Sequence, residues 1–311
     1  MNHAVIDLGS NSIRLSIYDY SSEQITKVFS KKEMVGLASY ISNKSIDIIG
    51  ILKACEVLND FKKSAAKYVE ESDVHLFATA ALRSISNRDE AVQTIIEKTM
   101  LTPDVLEGDE EAALGFIGAS HFKKCENGIM IDIGGASTEL VLFKDYQPVE
   151  LVSLPIGCLN LSNRFVSEII PSASEHKLIK AEIRAQLDKI NWDDSGKYPL
   201  MVGIGGTLRA VEKISGVLFD LNANEREINA DDVRTINKLL KERQRGIFHT
   251  LYKAIPERLL TISTGIAILH QVAKRFGCES ISVSKYGLRE GYLIDRLLKI
   301  TAEQKTYVEG V

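Results

Sequence analysis

Two short stretches of the chain carry the same arrangement of residues that could bind phosphate and a metal ion. Ile6–Leu15 aligns without a gap on Ile131–Leu140, 125 residues later, and five of the ten positions are identical. Each stretch is an apolar run, an Asp, a turn of small residues and a second run that alternates like a strand. The pattern predicts an internal duplication: two β-hairpins, each with a carboxylate and exposed backbone N–H groups at its tip.

The carboxylates at the two tips are Asp7 and Asp132. A carboxylate at the mouth of a phosphate-binding loop commonly holds Mg²⁺, so we predict both as metal ligands. The turns supply backbone donors and hydroxyls for phosphate, and their glycines permit close approach and positive φ. A single such loop is more often only a tight turn, but two in register favour binding. The predicted phosphate-binding residues are Gly9, Ser10, Asn11, Ser12, Gly134, Gly135, Ala136, Ser137 and Thr138.

Further charged residues fall where elements of the predicted fold end or begin. Glu110 and Glu111 open a helix, where acids favour the helix dipole, and one of the two is a candidate general base. Adjacent helical residues face different ways, so only one can have that role. Glu139 lies opposite Arg14 in the internal alignment, and it is either a third metal ligand or a solvated strand residue. Arg83 follows a buried strand, where its planar fork suits a phosphoryl group or a surface salt bridge.

A third glycine-rich segment, Gly203–Thr207, follows a short apolar strand and precedes a helix predicted from Leu208. Backbone N–H groups at such a helix start bind anions. One glycine-rich turn is a weak signal, but here it adds to two others. We therefore include Gly205, Gly206 and Thr207 among the predicted phosphate-binding residues.

The elements that must position these residues alternate in type along each half of the chain. Antiparallel strands come first and are followed by strands that alternate with helices, which predicts an α/β protein with a mixed sheet in each half. Helices are predicted at 46–71 and 257–276, and the charged stretch 121–128 is the expected domain boundary. In the first helix the apolar spacing predicts one buried face, formed by Ile48, Ile49, Leu52, Cys55, Leu58 and Phe61.

Composition limits the possible partners and the compartment. The chain has 311 residues, 45% hydrophobic and 26% charged, with a net charge of −4. This size allows two domains, and the charge provides no basic field for nucleic acid, so an anionic ligand must be held locally. The four cysteines are far apart and suggest neither zinc nor disulfides. No apolar segment approaches about 18 residues, and the chain starts directly in a strand, so we expect a cytoplasmic protein without membrane contact.

Seven motifs in order along the chain resemble those of the exopolyphosphatase/guanosine pentaphosphate phosphohydrolase family. This family belongs to the sugar kinase/actin/heat-shock ATPase superfamily, and the resemblance covers nearly the whole chain. The motifs are Asp-Leu-Gly-Ser-Asn-Ser at 7–12, Thr-Ala-Ala-Leu-Arg at 79–83, Gly-Asp-Glu-Glu-Ala at 108–112, Ile-Asp-Ile-Gly-Gly-Ala-Ser-Thr-Glu at 131–139, Leu-Pro-Ile-Gly at 154–157, Gly-Ile-Gly-Gly-Thr at 203–207 and Tyr-Gly-Leu-Arg-Glu-Gly at 286–291.

The resemblance implies two actin-like (ribonuclease H-like) domains, with mixed five-stranded sheets flanked by helices and an active site in the cleft between them. The domains are expected at 1–122, with a C-terminal helix at about 296–311, and at 123–295. It also implies a homodimer that hydrolyses terminal phosphoanhydrides with Mg²⁺, or with Mn²⁺ in its place. By position, Glu111 matches the catalytic glutamate and Arg83 the phosphate-contacting arginine. Asp132 and Glu139 match the metal-site acids.

The chain departs from the family pattern at three places. The third glycine of the phosphate loop is Ala136, which is tolerable unless the position needs positive φ. Leu260 stands where an Asp is common. Many members continue into a C-terminal helical domain, whereas this chain stops at Val311 and resembles the short, two-domain form.

Inorganic polyphosphate is the first expected substrate, and guanosine pentaphosphate is the close alternative. A metabolite kinase of the same superfamily, or a non-catalytic sensor of either ligand, remains a further alternative. Intact Glu111, Asp132 and Glu139 argue against a pure sensor, which has no need of a base. Basic clusters could line a track for a long anion, although each is also typical of solvated surface: Lys31–Lys32, Lys62–Lys63, Lys123–Lys124 and Lys241–Arg245.

Overall fold

The computed structural model describes residues 2–21, 24–122, 125–192, 197–219 and 227–299. The chain forms two compact units. Unit 1 runs to Glu111 and resumes at Arg289, and unit 2 covers Ala112–Leu288. The first boundary therefore lies inside a helix, before the charged stretch where it was expected. The predicted C-terminal helix at 296–311 falls largely on residues outside those described.

Unit 1 is built on a five-stranded mixed sheet. The sheet order is β3-β2-β1-β6-β7, in which β1, β2 and β3 are antiparallel neighbours and β6 and β7 are parallel to β1. The elements are β1 Asn2–Leu8, β2 Ser12–Ser21, β3 Gln24–Met34, a β4–β5 pair Ile41–Ser42 and Ser45–Ile46, α1 Ile48–Ala65, β6 Val74–Ala78, α2 Ala80–Arg83, α3 Arg88–Thr99 and β7 Pro103–Val105.

Unit 2 repeats this plan with one strand more than predicted. Its sheet order is β10-β9-β8-β11-β13-β12, and the short strand β12 pairs antiparallel with β13 at the edge. The elements are α4 Gly108–Phe122, which starts in unit 1, β8 Gly128–Ile133, β9 Thr138–Lys144, β10 Gln147–Leu154, α5 Cys158–Phe165, α6 Ala173–Leu187, β11 Leu200–Ile204, α7 Gly205–Phe219, β12 Glu227–Asn229, α8 Ala230–Lys241, α9 Arg245–Ala254, α10 Ile262–Phe276 and β13 Ser280–Val283.

After unit 2 the chain returns to unit 1. The helix α11 (Leu288–Tyr292) continues into a π-helical turn, Leu293–Leu298. Within unit 1 the ring of Tyr292 packs 4.9 Å from that of Phe77 on β6. This return places Arg289 and Glu290 against the first sheet.

The hairpin strands of unit 2, β8 and β9, are buried on both faces of the sheet. Ile129, Ile131 and Ile133 of β8 pack in the large core of unit 2, whereas Met130 packs in a smaller core with Phe116 of α4. Successive strand residues point to opposite faces, so both sides of β8 must be apolar. Asp132, near the end of β8, is a charged residue in this otherwise apolar strand, which suggests a functional role.

Two helix predictions were partly wrong. On α1 the side chains of Ile48, Ile49 and Leu52 are 49%, 55% and 40% exposed, and the buried face is formed by Ile51, Ala54, Cys55, Leu58, Phe61 and Ala65. The Asp47 carboxylate accepts a hydrogen bond from Ile49 N, so the helix starts after it and not at 46. The predicted helix 257–276 starts at Ile262, because Pro256–Arg258 forms a separate 3₁₀ turn.

Candidate active site

Both predicted hairpins are present, and they close in the same way. Leu8 pairs with Ile13, and Ile133 pairs with Thr138, so each turn has four residues. Gly9 N donates to Ser12 O at 3.2 Å, and Gly134 N donates to Ser137 O at 2.9 Å. The internal alignment therefore corresponds to a repeated three-dimensional structure.

The hairpin glycines serve close packing and not positive φ, contrary to the sequence-based expectation. Among the described residues, the glycines with positive φ are Gly36, Gly205 and Gly277. A Cβ on Gly134 would lie 3.2 Å from Ser137 O, and one on Gly157 would overlap the backbone of Gly135. Ala136 also has no left-handed backbone, so the departure from the family's glycine is accommodated.

The row of residues across the first hairpin is mainly cationic. Asp7 pairs with Arg14, which pairs with Lys32 on the next strand. Arg289 Nε lies 3.9 Å from Asp7 Oδ2, and Arg289 Nη1 donates to Ser16 Oγ at 3.1 Å. Burial raises the pKa of Asp7, and the charges of Arg289 and Arg14 partly offset this rise. A tip rich in guanidinium groups suits phosphate better than it suits a second cation.

The equivalent row across the second hairpin is acidic. Asp132 pairs with Glu139, which pairs with Ser153 on β10. Directly opposed residues of an antiparallel pair lie on the same face with Cβ atoms about 5 Å apart. Glu139 is only 2% exposed, and its Oε1 accepts from Ser153 Oγ at 2.7 Å. Two adjacent carboxylates fit Mg²⁺, which binds one or two carboxylates together with water and substrate oxygens.

The third glycine-rich segment is the first turn of α7 and not a loop before it. Gly205 has φ +82°, and a Cβ there would overlap Oδ1 of Asp132. Thr207 Oγ1 donates to Ile133 O at 2.8 Å, which fixes this turn to the end of β8. The unit thus brings a helix N-terminus, whose first backbone N–H groups have no partner within the helix itself, beside the acidic hairpin.

Arg83 and Glu111 form an ion pair in unit 1. Arg83 Nη1 donates to Glu111 Oε2 at 2.7 Å and to Leu106 O at 3.0 Å. Both side chains are 12% exposed, so solvent screens the pair weakly. The arginine therefore holds the Glu111 carboxylate in one orientation, which a general base requires.

Glu110 has the structural role that acids in a first helical turn usually have. Its Oε2 accepts from Glu107 N at 3.0 Å, and its Oε1 lies 2.7 Å from Arg296 Nη2. These contacts lower the pKa of Glu110, with the backbone hydrogen bond as the main cause. Of the two adjacent acids, Glu110 thus has a structural role, and Glu111 remains the candidate base.

Two arginines beside these elements are absent from the predicted set. Arg289 contacts Asp7, as described above, and it belongs to the Tyr286–Gly291 motif, whose presence was a usable signal. Arg258 lies so close to Gly206 that a Cβ on this glycine would overlap its guanidinium group. The sequence around Arg258 matches the family pattern incompletely, because Leu260 stands where an Asp is common. For this reason the motif comparison did not identify Arg258.

Glu290, next to Arg289, is a buried carboxylate that contacts Tyr18 and Lys27. It is 1% exposed, it accepts from Tyr18 Oη at 2.7 Å, and Lys27 Nζ lies 2.6 Å from its Oε1. Burial alone would raise the pKa of Glu290, but the charges of Arg289 and Lys27 outweigh it and lower the pKa to about 2. The cluster anchors the C-terminal segment to the first sheet.

This lowered pKa predicts a pH-dependent contribution to stability. A depressed folded-state pKa stabilises the protein above the ordinary value of 4.5, and the contribution is lost as pH falls towards 2. We expect Glu290→Gln to reduce the free energy of unfolding by an amount that is largest above pH 4.5, on the order of 3 kcal/mol. Urea denaturation of both proteins at several pH values measures this, and a difference that stays constant down to pH 2 would contradict it.

Within the described part of the chain, no helix combines the length and apolar character needed to cross a membrane.

Comparison with known proteins gives one family across the chain. The model of the Ppx/GppA phosphatase family matches residues 16–300. A guanosine-5'-triphosphate,3'-diphosphate pyrophosphatase from Pseudoalteromonas translucida is 28% identical over 95% of the chain, and a bifunctional 3-dehydroquinate synthase/phosphatase from Fusobacterium nucleatum is 28% identical over 91%. The chain spans 59% and 44% of the lengths of these relatives.

The fold also matches a solved structure from this family. The crystal structure of the Aquifex aeolicus Ppx/GppA family member superposes with a TM-score of 0.77 at 25% identity, covering 96% of this chain and 98% of the other. The predicted α/β class, with two mixed sheets flanked by helices, is therefore confirmed.

Proposed function

The chain belongs to the Ppx/GppA phosphatase family, and on this basis we propose that it hydrolyses the terminal phosphoanhydride of inorganic polyphosphate and releases orthophosphate. The observation that carries the proposal is the pair of matching hairpins with opposite charge. The first combines Asp7 with Arg14, and the second combines Asp132 with Glu139. The first hairpin suits a phosphate chain, and the second suits a divalent cation.

We assign the base to Glu111. Its carboxylate takes a proton from a water molecule, whose oxygen forms a bond to the terminal phosphorus while the bridging P–O bond breaks. Arg83 holds Glu111 in place, and its positive charge would stabilise the negative charge of the transferred phosphoryl group. Backbone N–H groups of Gly134–Thr138 and of the turn Gly205–Thr207 bind non-bridging oxygens.

Asp132 and Glu139 would hold Mg²⁺ or Mn²⁺. When bound, the ion supplies positive charge that stabilises the leaving phosphate. The assignment of Asp7 as a further ligand stays a prediction. Its cationic neighbours, Arg14 and Arg289, favour a role in holding phosphate at the first hairpin.

Replacing Asp132 with Asn is expected to raise the Mg²⁺ concentration for half-maximal activity by about 10-fold or more, because one anionic oxygen ligand is lost. Titration with Mn²⁺, followed by electron paramagnetic resonance, should show the same weakening without any turnover. The matched control is Asp145→Asn, an exposed aspartate in the turn after β9. Equal Mn²⁺ affinity in all three proteins would remove Asp132 from the metal site.

Guanosine pentaphosphate is the second candidate substrate, and the name of the Pseudoalteromonas relative favours it. The residues assigned above are cations, hydroxyls, carboxylates and backbone groups, and none provides an apolar wall for a guanine base. This is the reason for placing polyphosphate first. The cytoplasmic location and the homodimer remain predictions.

A phosphate-release assay with Mg²⁺ tests the proposal by comparing short polyphosphate, long polyphosphate, guanosine pentaphosphate and ATP. The highest kcat/KM on either polyphosphate supports the first proposal, and the highest value on guanosine pentaphosphate replaces it with the second. ADP formation that requires an added acceptor would identify a kinase. Tight binding of either ligand without phosphate release would identify a sensor.

A further inference from the structure

Unit 2 contains a second basic site, a cavity of about 910 Å³ formed by α6, α8 and α10. The described lining has five Lys or Arg side chains and one Asp, although the whole chain carries a net charge of −4. The cationic residues are Lys177, Lys180, Arg234, Lys238 and Lys241. None of these residues belongs to the predicted catalytic or metal-binding set.

Most of this positive charge is not neutralised within the protein. Within the described ranges, Lys177, Lys180 and Lys241 form no salt bridge within 4.0 Å. Arg234 and Lys238 have acidic neighbours only on their own helix, at 3.8 Å from Asp231 and 3.9 Å from Glu242. Such exposed pairs contribute little, so the cavity keeps most of its charge.

The cations also repel one another. The pKa of Lys180 is lowered, first by the charge of Arg184, then by burial and by the charges of Lys274 and Lys241. In two other basic clusters of the chain a carboxylate neutralises part of the charge, because Lys31 pairs with Asp60 and Lys62 pairs with Glu71. An anion in the cavity would relieve this repulsion, because the described lining holds five cationic side chains and a single carboxylate, that of Asp231.

Two residues of the lining each have one buried polar atom without a hydrogen-bond partner among the described residues. His176 is 8% exposed, and its Nε2 has no hydrogen-bond partner among the described residues. The same is true of Oδ1 of Asn237, on the facing helix α8. A buried polar group without a partner costs free energy, and the negative charge of a bound anion would favour the imidazolium form of His176, in which both ring nitrogens donate.

We propose that this cavity is a second anion site, which binds a chain of three or more linked phosphates. Arg234, Lys238 and Lys241 lie along one helix over seven residues, which corresponds to about 10 Å. Lys177 and Lys180 face them from α6. This spread exceeds the size of one orthophosphate and matches a ligand with several linked charges. The inference does not depend on the proposed hydrolysis.

The lining favours a phosphate chain over a nucleic acid. Its described residues include no Phe, Tyr or Trp on which a base could stack. The negative net charge of the chain also provides no extended basic surface for a long nucleic acid. Inorganic polyphosphate and the polyphosphate group of a nucleotide share the required chemistry, and the probes below distinguish them.

Calorimetry of the full chain in EDTA, without divalent metal, tests the site with tripolyphosphate, ATP, orthophosphate and a short single-stranded RNA. The variant Lys177→Gln/Lys180→Gln/Lys241→Gln is compared with Lys189→Gln/Lys213→Gln/Lys253→Gln, which removes the same charge from exposed positions outside the cavity. We expect the first variant to bind tripolyphosphate about 10-fold or more weakly at one site per chain, and the control to match the wild type.

A site-specific readout comes from histidine NMR. A bound anion favours imidazolium, so tripolyphosphate should raise the pKa of His176 and His270, while His3 and His75 in unit 1 serve as internal references. Burial lowers the pKa of both cavity histidines in the free protein. The charged groups that act on them are Glu175, Lys241 and Arg243 for His176, and Lys180, Arg234 and Lys274 for His270.

The outcomes separate the possible ligands. A larger loss for tripolyphosphate than for ATP in the triple variant identifies the free phosphate chain as the ligand, and the reverse identifies a nucleotide polyphosphate. Equal affinity for orthophosphate, tighter binding of RNA, or unchanged pKa values of His176 and His270 would overturn the proposal. A chain that shows cavity binding but releases no phosphate would retain this inference and lose the proposed function.

Discussion

Replacing Glu111 with Gln is expected to lower kcat for phosphate release by about 10²–10⁴, the usual contribution of a general base. Glutamine keeps the length of the side chain, and its amide oxygen can still accept the hydrogen bond that Arg83 Nη1 donates at 2.7 Å. It cannot take the proton of the attacking water. The loss should therefore appear in kcat, while KM changes little.

The neighbouring residue supplies a matched control. Glu110→Gln makes the same chemical change one position earlier, but this carboxylate caps Glu107 N and pairs with Arg296. We expect a small loss of stability, about 0.5–2 kcal/mol as for other helix caps, and a kcat close to that of the wild type. The assignment would be wrong if Glu110→Gln lost the turnover and Glu111→Gln retained it.

Arg83 connects this prediction to local structure. Its guanidinium group is fixed by Leu106 O and by Glu111, and both partners lie at the end of β7 and the start of α4. The expected signature of a positioning residue is that Arg83→Lys lowers kcat less than Glu111→Gln does. It should also change the pH profile of kcat, because a lysine holds the carboxylate less rigidly.

The parts of the fold that were predictable are those in which sequence neighbours are also spatial neighbours. Each hairpin pairs residues within one short stretch, so the identity of Asp7 with Asp132 and of Gly9 with Gly134 predicted equivalent geometry. The start of α8 is equally local, since Asn229 Oδ1 accepts from Asp231 N at 2.9 Å. Local hydrogen bonds of this kind follow from residue type.

Errors arose where packing from distant elements decided the outcome. The first turn of α1 is apolar in sequence but exposed, because only the face with Ile51, Leu58 and Phe61 meets the sheet. The strand β12 has three residues, too few for a periodic signal, and it exists through its pairing with β13.

The pairings that give the site its chemistry were the least predictable. Tyr18 and Glu290 are 272 residues apart in sequence, and Arg83 and Glu111 are 28 apart. In both pairs, the sequence around one residue gives no indication of which residue is its partner. The motif at 286–291 indicated that Arg289 and Glu290 matter, but only the return of the chain to the first sheet shows that they contact Asp7 and Tyr18.

Gly205→Ala should have the largest effect among the small-residue substitutions. The position has φ +82°, where a residue with a Cβ is strained by about 1–2 kcal/mol, and the added methyl would overlap Asp132 Oδ1. The Asp132 side chain would have to move, and its carboxylate would no longer keep its position beside the cross-strand residue Glu139. We expect the free energy of unfolding to fall by at least about 2 kcal/mol, with Mg²⁺-dependent activity reduced 10-fold or more.

The same helix contains the control for this change. Gly216 of α7 has open space where a Cβ would be added, so Gly216→Ala should raise stability by about 0.5–1 kcal/mol through helix propensity and leave activity unchanged. Thermal unfolding measures the first effect, and Mn²⁺ binding well below the melting temperature separates a displaced Asp132 from a partly unfolded unit. If Gly205→Ala bound Mn²⁺ and turned over substrate like Gly216→Ala, the position of the Asp132 carboxylate would not depend on this glycine, and the prediction would be wrong.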